Sequence, residues 1–137
     1  MNPQLLSDDY EALAAFRYAM RKFLRFSKNT LASEAGLSAE QYEALLALKA
    51  FGSSRGITIT DLSERLQVRH HTAVSHVDKL EAGGLVRRGQ DTHDRRRVYV
   101  RLTAAGSRVL AKVAGIHRRE MRLRSPEMIE ALLRLRG

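Results

Sequence analysis

The stretch that most constrains this chain is its middle, RHHTAVSHVDKLEAGGLVRRGQDTHDRRRVYVRLT, residues 69–103. Its first part carries Ala73, Val74, Val77 and Leu80 at helical spacing, so one side must face a core. Two glycines, Gly83 and Gly84, then stop the helix. Residues 85–88 read as a short strand, residues 97–102 alternate as a half-buried strand does, and the loop 89–96 between them is rich in turn formers and tipped with arginine. A helix, a stop and a hairpin are therefore dictated within 35 residues, and the remaining chain must present them.

The polar side of that helix has an unusual composition. His70 and His71 open it, and Arg69, Thr72, Ser75, His76 and Lys79 occupy the face opposite the apolar row. These are hydroxyls and planar donors rather than the glutamate and lysine mixture of an ordinary hydrated face, although hydration is the commoner fate of any polar helix face. Just upstream, 60–68 reads as a short helix capped by Thr60, with Leu62, Leu66 and Val68 inward. Two helices joined by a tight turn, the second carrying such a face, make a helix-turn-helix, whose second helix enters the DNA major groove. Base edges there present donor and acceptor patterns that these side chains can read.

Charge supports an anionic partner. The 137 residues hold 24 Lys and Arg against 15 Asp and Glu, a formal net charge of +9. Solubility alone could account for a basic balance, but Arg87, Arg88, Arg95, Arg96, Arg97 and Arg101 are packed into one short segment, which favours a site. A narrow minor groove concentrates negative potential and accepts an inserted guanidinium. Asp91 and Asp94 are at odds with a phosphate-facing loop unless one of them pairs with a neighbouring arginine and fixes the hairpin.

The flanking chain reads as helical scaffold. Residues 8–31 carry Tyr10, Leu13, Met20, Leu24 and Leu31 near one stripe, widened by Phe16, Ala19, Phe23 and Phe26. A break is expected over 29–36. Ser38 and Gln41 then form a capping box for a helix that buries Leu45, Leu46 and Leu48 and stops at Gly52. Residues 56–59 allow only a small strand. After the hairpin, Thr103 caps a helix with Val109, Leu110, Val113 and Ile116 apolar, and Ser125-Pro126 opens a separate last helix whose apolar face is Ile129, Leu132, Leu133 and Leu135. So short a helix is marginal alone and must dock.

The run GLVRR…DTHDRRRVYVRLTAAG resembles the wing of the MarR family of winged-helix transcriptional regulators, and ITDLSERLQVRHHTAVSHVDKLEAGGLV resembles that family's helix-turn-helix. Asp94, Arg96, Leu102, Thr103 and Gly106 stand at the family's spacing. The resemblance implies a mainly α fold with a small β-wing: a winged helix-turn-helix DNA-binding lobe at 38–102, with dimerisation helices at 8–31 and 103–136, all in one domain. It implies a homodimer with recognition helices in successive major grooves, and Arg95 or Arg96 contacting the minor groove while Asp94 braces it. Two departures, His70-His71 at the helix start and His76 where an aliphatic residue is common, bear on operator sequence rather than on the mode of binding. The family also implies a small aromatic or anionic effector. Tyr10, Phe16, Phe23, Arg17 and Arg21 are candidates to line its pocket, with packing or hydration as their competing role.

Other chemistries fit poorly. No cysteine occurs, which removes disulfides and thiolate metal sites. His70 and His71 cannot share a helix face, and His117 with Glu120 is half a metal site, so neither metal nor cofactor is expected. Ser75, His76 and Asp78 point apart on a helix and make no triad, and no nucleophile-elbow or phosphate-loop motif occurs, so no enzymatic activity is expected. There is no secretory leader or 18-residue apolar run, so a cytoplasmic protein without membrane association is expected. The function expected is thus sequence-specific regulation of transcription, repression being the expected sign, by a homodimer on a pseudo-palindromic operator. Arg69, His70, His71, Thr72, Ser75, His76, Lys79, Arg95, Arg96 and Arg97 are its expected DNA contacts. The competing expectation is sequence-independent, architectural DNA binding.

Overall fold

A computed structural model describes residues 4–136. The element order is α1 (Ser7–Ala35), α2 (Ala39–Phe51), β1 (Ile57–Thr58), α3 (Ile59–Leu66), α4 (His70–Ala82), β2 (Val86–Gln90), β3 (Val98–Leu102) and α5 (Ala104–Arg136). The fold is mainly α with a small antiparallel sheet, the winged-helix class expected from the sequence. The chain divides into two compact units, Leu31–Val113 and the described residues of Met1–Thr30 with Ala114–Gly137.

In the unit Leu31–Val113 the three strands lie in the order β1-β3-β2, all antiparallel. Val86 pairs with Leu102, Arg88 with Val100 and Gln90 with Val98, so these residues share one face of the sheet. That face belongs to the core. Val86 and Val100 are buried there with Leu45, Leu48, Ile57, Ile59, Leu62, Ala73, Val77 and Leu80 from β1 and the three short helices. Burying each Leu or Ile stabilises the unit by roughly 1.5–3 kcal/mol.

Several local expectations need correction. The break expected over 29–36 is not there: α1 runs on through Ala35. The stop is Gly36 alone, in a left-handed conformation at φ +64°, with the Leu37 N–H bonded to the Leu31 carbonyl in the six-to-one closure of a helix end. Polar residues such as Asn29 and Ser33 lower helix propensity without terminating a helix. In α2 the capping box of Ser38 and Gln41 is present in both directions, at 2.9 and 3.1 Å. Leu46, however, is 41% exposed, because Ala44, Leu45, Ala47 and Leu48 already fill the buried arc. α3 is capped by Thr58, not Thr60, and so gains Ile59 for the core. β2 starts at Val86 and extends into the expected loop as far as Gln90.

The separate last helix is also absent. Ser125 and Pro126 lie inside α5, which is continuous to Arg136. Pro126 cannot donate to the Arg122 carbonyl one turn earlier. The Ser125 hydroxyl donates to that oxygen instead, at 3.4 Å, so the helix passes the proline with the acceptor still engaged. In the unit containing this segment the buried residues of α1 include Ala12, Ala19 and Ser27, whereas Tyr10, Leu13 and Leu24 of the apolar stripe are exposed.

Candidate nucleic-acid interface

The turn between α3 and α4 sets the candidate recognition helix. α3 ends at Gln67, a non-glycine residue in the left-handed region at φ 55°, and the Gln67 side chain steadies this conformation by donating to the Glu64 carbonyl at 2.7 Å and to its carboxylate at 3.1 Å. Val68 N–H closes onto the Ser63 carbonyl at 3.1 Å, and α4 starts at His70 without a side-chain cap from Arg69.

Burial along α4 separates its two sides. Ala73, Val77 and Leu80 are buried, and Arg69, His70, His71, Ser75 and Lys79 are exposed. Thr72 and His76 are half-buried. The Nδ1 of His76 is shielded without a hydrogen-bond partner, so its ring is less open than the side chains of Ser75 or Lys79. Val74, expected in the core, is half-buried.

The base of the wing is held by a bracket that sequence reasoning missed. Arg88 on β2 reaches across to α4. One guanidinium nitrogen donates to Glu81 at 2.6 Å and the other to Asp78, while the Arg88 backbone N–H donates to Glu81 at 2.9 Å. Burial opposes the charge of Arg88, but its bonds to Asp78 and Glu81 outweigh that and raise its pKa. The backbone N–H of Arg88, and then its guanidinium, hold the Glu81 carboxyl below its ordinary value. In the sequence Arg88 is one of six arginines in a single basic segment. The available signal was the pair Asp78 and Glu81, three apart on the helix that the turn places beside β2.

The wing loop is internally tied. Asp91 accepts the His93 N–H at 2.9 Å, and its own N–H donates to the Arg97 carbonyl at 3.1 Å. Asp94 accepts both the backbone N–H of Arg96 at 3.0 Å and its Nε at 3.1 Å. That side-chain bond, followed by the backbone one, holds the Asp94 carboxyl below the usual range. The Arg96 side chain is nevertheless 92% exposed, and Arg95 and Arg97 are exposed beside it. Sequence alone left Arg95 and Arg96 equivalent; the structure pairs Asp94 with Arg96.

Thr103 anchors the far end of the hairpin. Its hydroxyl donates to the Gly84 carbonyl at 2.6 Å and accepts the Gly106 N–H at 3.0 Å, while its backbone N–H donates to the Leu85 carbonyl at 3.1 Å. Gly106 lies so close to that carbonyl that a Cβ would stand 2.0 Å from its oxygen. The spacing of Thr103 and Gly106 thus records how closely α5 begins against the turn after α4.

Among the described residues no three His, Asp or Glu side chains converge as a metal site would require. His117 is buried and shares a 2.8 Å hydrogen bond with Ser27, while Glu120 pairs with Arg124, so that half-site is engaged elsewhere. Among the described residues no helix is long and apolar enough to cross a membrane.

The comparisons agree with this architecture. The family model described as the MarR family matches residues 35–97, from the end of α1 through the wing loop. The HTH-type transcriptional regulator PecS of Dickeya dadantii (strain 3937) is 31% identical over 81 residues, 59% of this chain and 49% of PecS, so the chain spans about half the length of that relative. The crystal structure of the transcriptional regulator BldR from Sulfolobus solfataricus matches with a TM-score of 0.72 at 27% identity, covering 97% of both chains. MepR from S. aureus, in a crystal structure of its DNA complex, matches with a TM-score of 0.71 at 26% identity, covering 86% of this chain and 90% of MepR. With the helix-turn-helix, the wing and its Asp94–Arg96 pair in place, these matches show that residues 35–97 are similar to the MarR family and that the fold is that of the MarR-type regulators.

Proposed function

We propose that this chain is a DNA-binding transcriptional regulator that acts as a homodimer on a pseudo-palindromic operator, as a repressor, in the cytoplasm. The observation that carries the reading is how the charges around α4 and the wing are distributed. The carboxylates there are engaged internally, Asp78 and Glu81 by Arg88 and Asp94 by Arg96, while Arg69, Lys79 and Arg95 stand exposed without an acidic partner among the described residues. The surface left for a partner is therefore cationic, and it carries hydroxyls and imidazoles that can read base edges. PecS and BldR, both named as transcriptional regulators, and MepR, crystallised with DNA, support the same reading.

In this reading α4 lies in the major groove, with Ser75, His70 and His71 at base edges, Thr72 and His76 at the margin, and Arg69 and Lys79 on phosphates. Arg96 enters the minor groove with Asp94 fixing its direction, and Arg95 and Arg97 contact the flanking backbone. The two recognition helices of a dimer then stand roughly 34 Å apart, one turn of DNA. A small aromatic or anionic molecule would relieve repression.

Binding of the purified protein to a promoter fragment from its own locus, against a scrambled fragment over a salt series, tests this. The expected result is a preference for the promoter that persists near physiological salt, with affinity falling as salt rises. Equal, salt-labile binding to both fragments would replace the regulator with an architectural DNA-binding protein. Within a confirmed operator, Arg96→Ala should weaken binding on all sequences and Ser75→Ala should relax preference at one position by about 1–3 kcal/mol.

A further inference from the structure

The sheet has a second face, which the core does not use. Arg87 and Arg101 are direct partners across β2 and β3, and Gly89 pairs with Tyr99 beside them. Both arginines are exposed, and neither has an acidic partner among the described residues. Like charges placed directly opposite each other weaken a strand pair, so this pairing is an element that structure alone does not favour.

A third arginine is brought to the same face by Gly56. Its φ is +99°, and a Cβ there would stand 2.0 Å from the Val100 carbonyl oxygen and 3.1 Å from the Arg101 Cβ. Only glycine allows so close an approach, and it presses the loop before β1 onto β3. Arg55, the preceding residue, then joins Arg101, Tyr99, Gly89, Asp91 and Thr92 around a cleft of about 350 Å³.

We propose that this cleft binds a small organic phosphate, with Arg55 and Arg101 taking the phosphate oxygens and the Tyr99 ring lying against the organic part. Guanidinium forks match phosphate oxygens in pairs, and an aromatic flank beside polar groups is the usual make-up of a small-ligand site. The Asp91 carboxylate is committed to the His93 N–H. As an acid in the cleft it confines the ligand's charge to the arginine end. A DNA phosphodiester could meet the same arginines, but the Tyr99 phenol in the wall and the Asp91 carboxylate opposite suit a small ligand with an organic part beside its phosphate. Asp91 and Thr92 belong to the loop that carries Arg95 and Arg96, so occupancy would shift the wing. That consequence rests on the regulator reading; the binding itself does not.

The test is calorimetric titration of the intact protein, without DNA, using phenyl phosphate and inorganic phosphate as probes. Phenyl phosphate should saturate one site per chain in the wild type and in Arg118→Ala/Arg119→Ala, which removes two exposed charges elsewhere. It should bind about tenfold or more weakly in Arg55→Ala/Arg101→Ala. Tyr99→Leu should weaken phenyl phosphate while leaving inorganic phosphate unchanged. Circular dichroism checks folding, and the single variant Arg55→Gln serves if the double variant is unfolded. No saturable binding in the wild type, or equal loss in the Arg118/Arg119 variant, would overturn the site. Loss of DNA affinity in Arg55→Ala/Arg101→Ala with no phenyl phosphate binding in the wild type would make the face a DNA contact and overturn the small-ligand proposal. A wild type that prefers no promoter fragment yet titrates with phenyl phosphate would sink the regulator reading alone.

Discussion

Arg88 shows how one position in a basic run can serve the fold while its neighbours stay free. Its side chain is 26% exposed and bonded to two carboxylates of α4. Arg88→Ala should cost about 1–2 kcal/mol in urea unfolding, because it removes charge-assisted bonds that are only partly buried and leaves Asp78 and Glu81 facing each other. The effect should depend on pH. The folded state holds the Glu81 proton more weakly than the unfolded chain does. The associated stability is therefore complete above the ordinary glutamate value of about 4.3, and it drains away as pH falls through the lower folded value. Urea melts between neutral pH and the acid limb should show the wild type losing stability more steeply than Arg88→Ala below that point. Parallel curves would mean that the guanidinium adds nothing to the shift and that the Arg88 N–H, which the variant keeps, carries it. Asp94 in the wing shifts in the same direction, its half-buried side chain paired with the exposed Arg96. Asp94→Asn, which keeps an oxygen for the Arg96 N–H, should leave the melting temperature unchanged and weaken DNA binding by loosening Arg96.

At the scale of elements, features that depend on short-range chemistry were legible and those that depend on competition between signals were not. The Ser38–Gln41 box and the Thr103 cap follow from side chains that bond three residues along the chain, the Gly52 stop follows from a residue with no side chain to hold a helix, and each is present. The wing could be placed because alternation and turn residues coincide there. The end of α1 and the continuity of α5 were misjudged because polar residues and a Ser-Pro pair read as punctuation. The long helices simply continued, with Ser125 covering the carbonyl that Pro126 leaves. The Arg88 bracket was hidden for another reason: it joins two elements, and only the turn at Gly83-Gly84 brings them side by side. The α5 geometry can be checked directly. Pro126→Ala restores an N–H for the Arg122 carbonyl and removes ring crowding, so it should raise stability by about 1–2 kcal/mol in thermal unfolding, less than the full cost of an interior proline because Ser125 already compensates. A destabilised Pro126→Ala would indicate that the helix gains from the proline, as it would if a separate helix began there.

The whole molecule is left with an apolar surface that one chain does not cover. In the unit built from the two ends of the chain, Leu6, Tyr10, Leu13 and Leu24 on the N-terminal side, and Leu123, Ile129, Leu132 and Leu133 on α5, are all exposed, with Leu123 at 72%. Isolated exposed leucines are ordinary, but this many within one small unit is what an interface presents before its partner arrives. A second copy is the natural partner, because the proposed operator is two-fold and a symmetric interface places the two recognition helices at related half-sites. Covering a half-exposed leucine gains roughly 25 cal/mol per Å² of apolar surface, so two adjacent leucines at the end of α5 contribute appreciably to such an interface. Leu132→Glu/Leu133→Glu replaces them with charges that the interface would have to desolvate without partners. The wild type should sediment at twice the 15.5 kDa chain mass at micromolar concentration, and the variant at the chain mass with an unchanged far-ultraviolet spectrum. Operator affinity should fall with dimerisation, since each half-site is then bound separately and the linkage between them is lost. A wild type that sediments as a single chain would remove the homodimer and, with it, the requirement for a two-fold operator. A dimer that survives both glutamates would place the interface on another surface of the molecule.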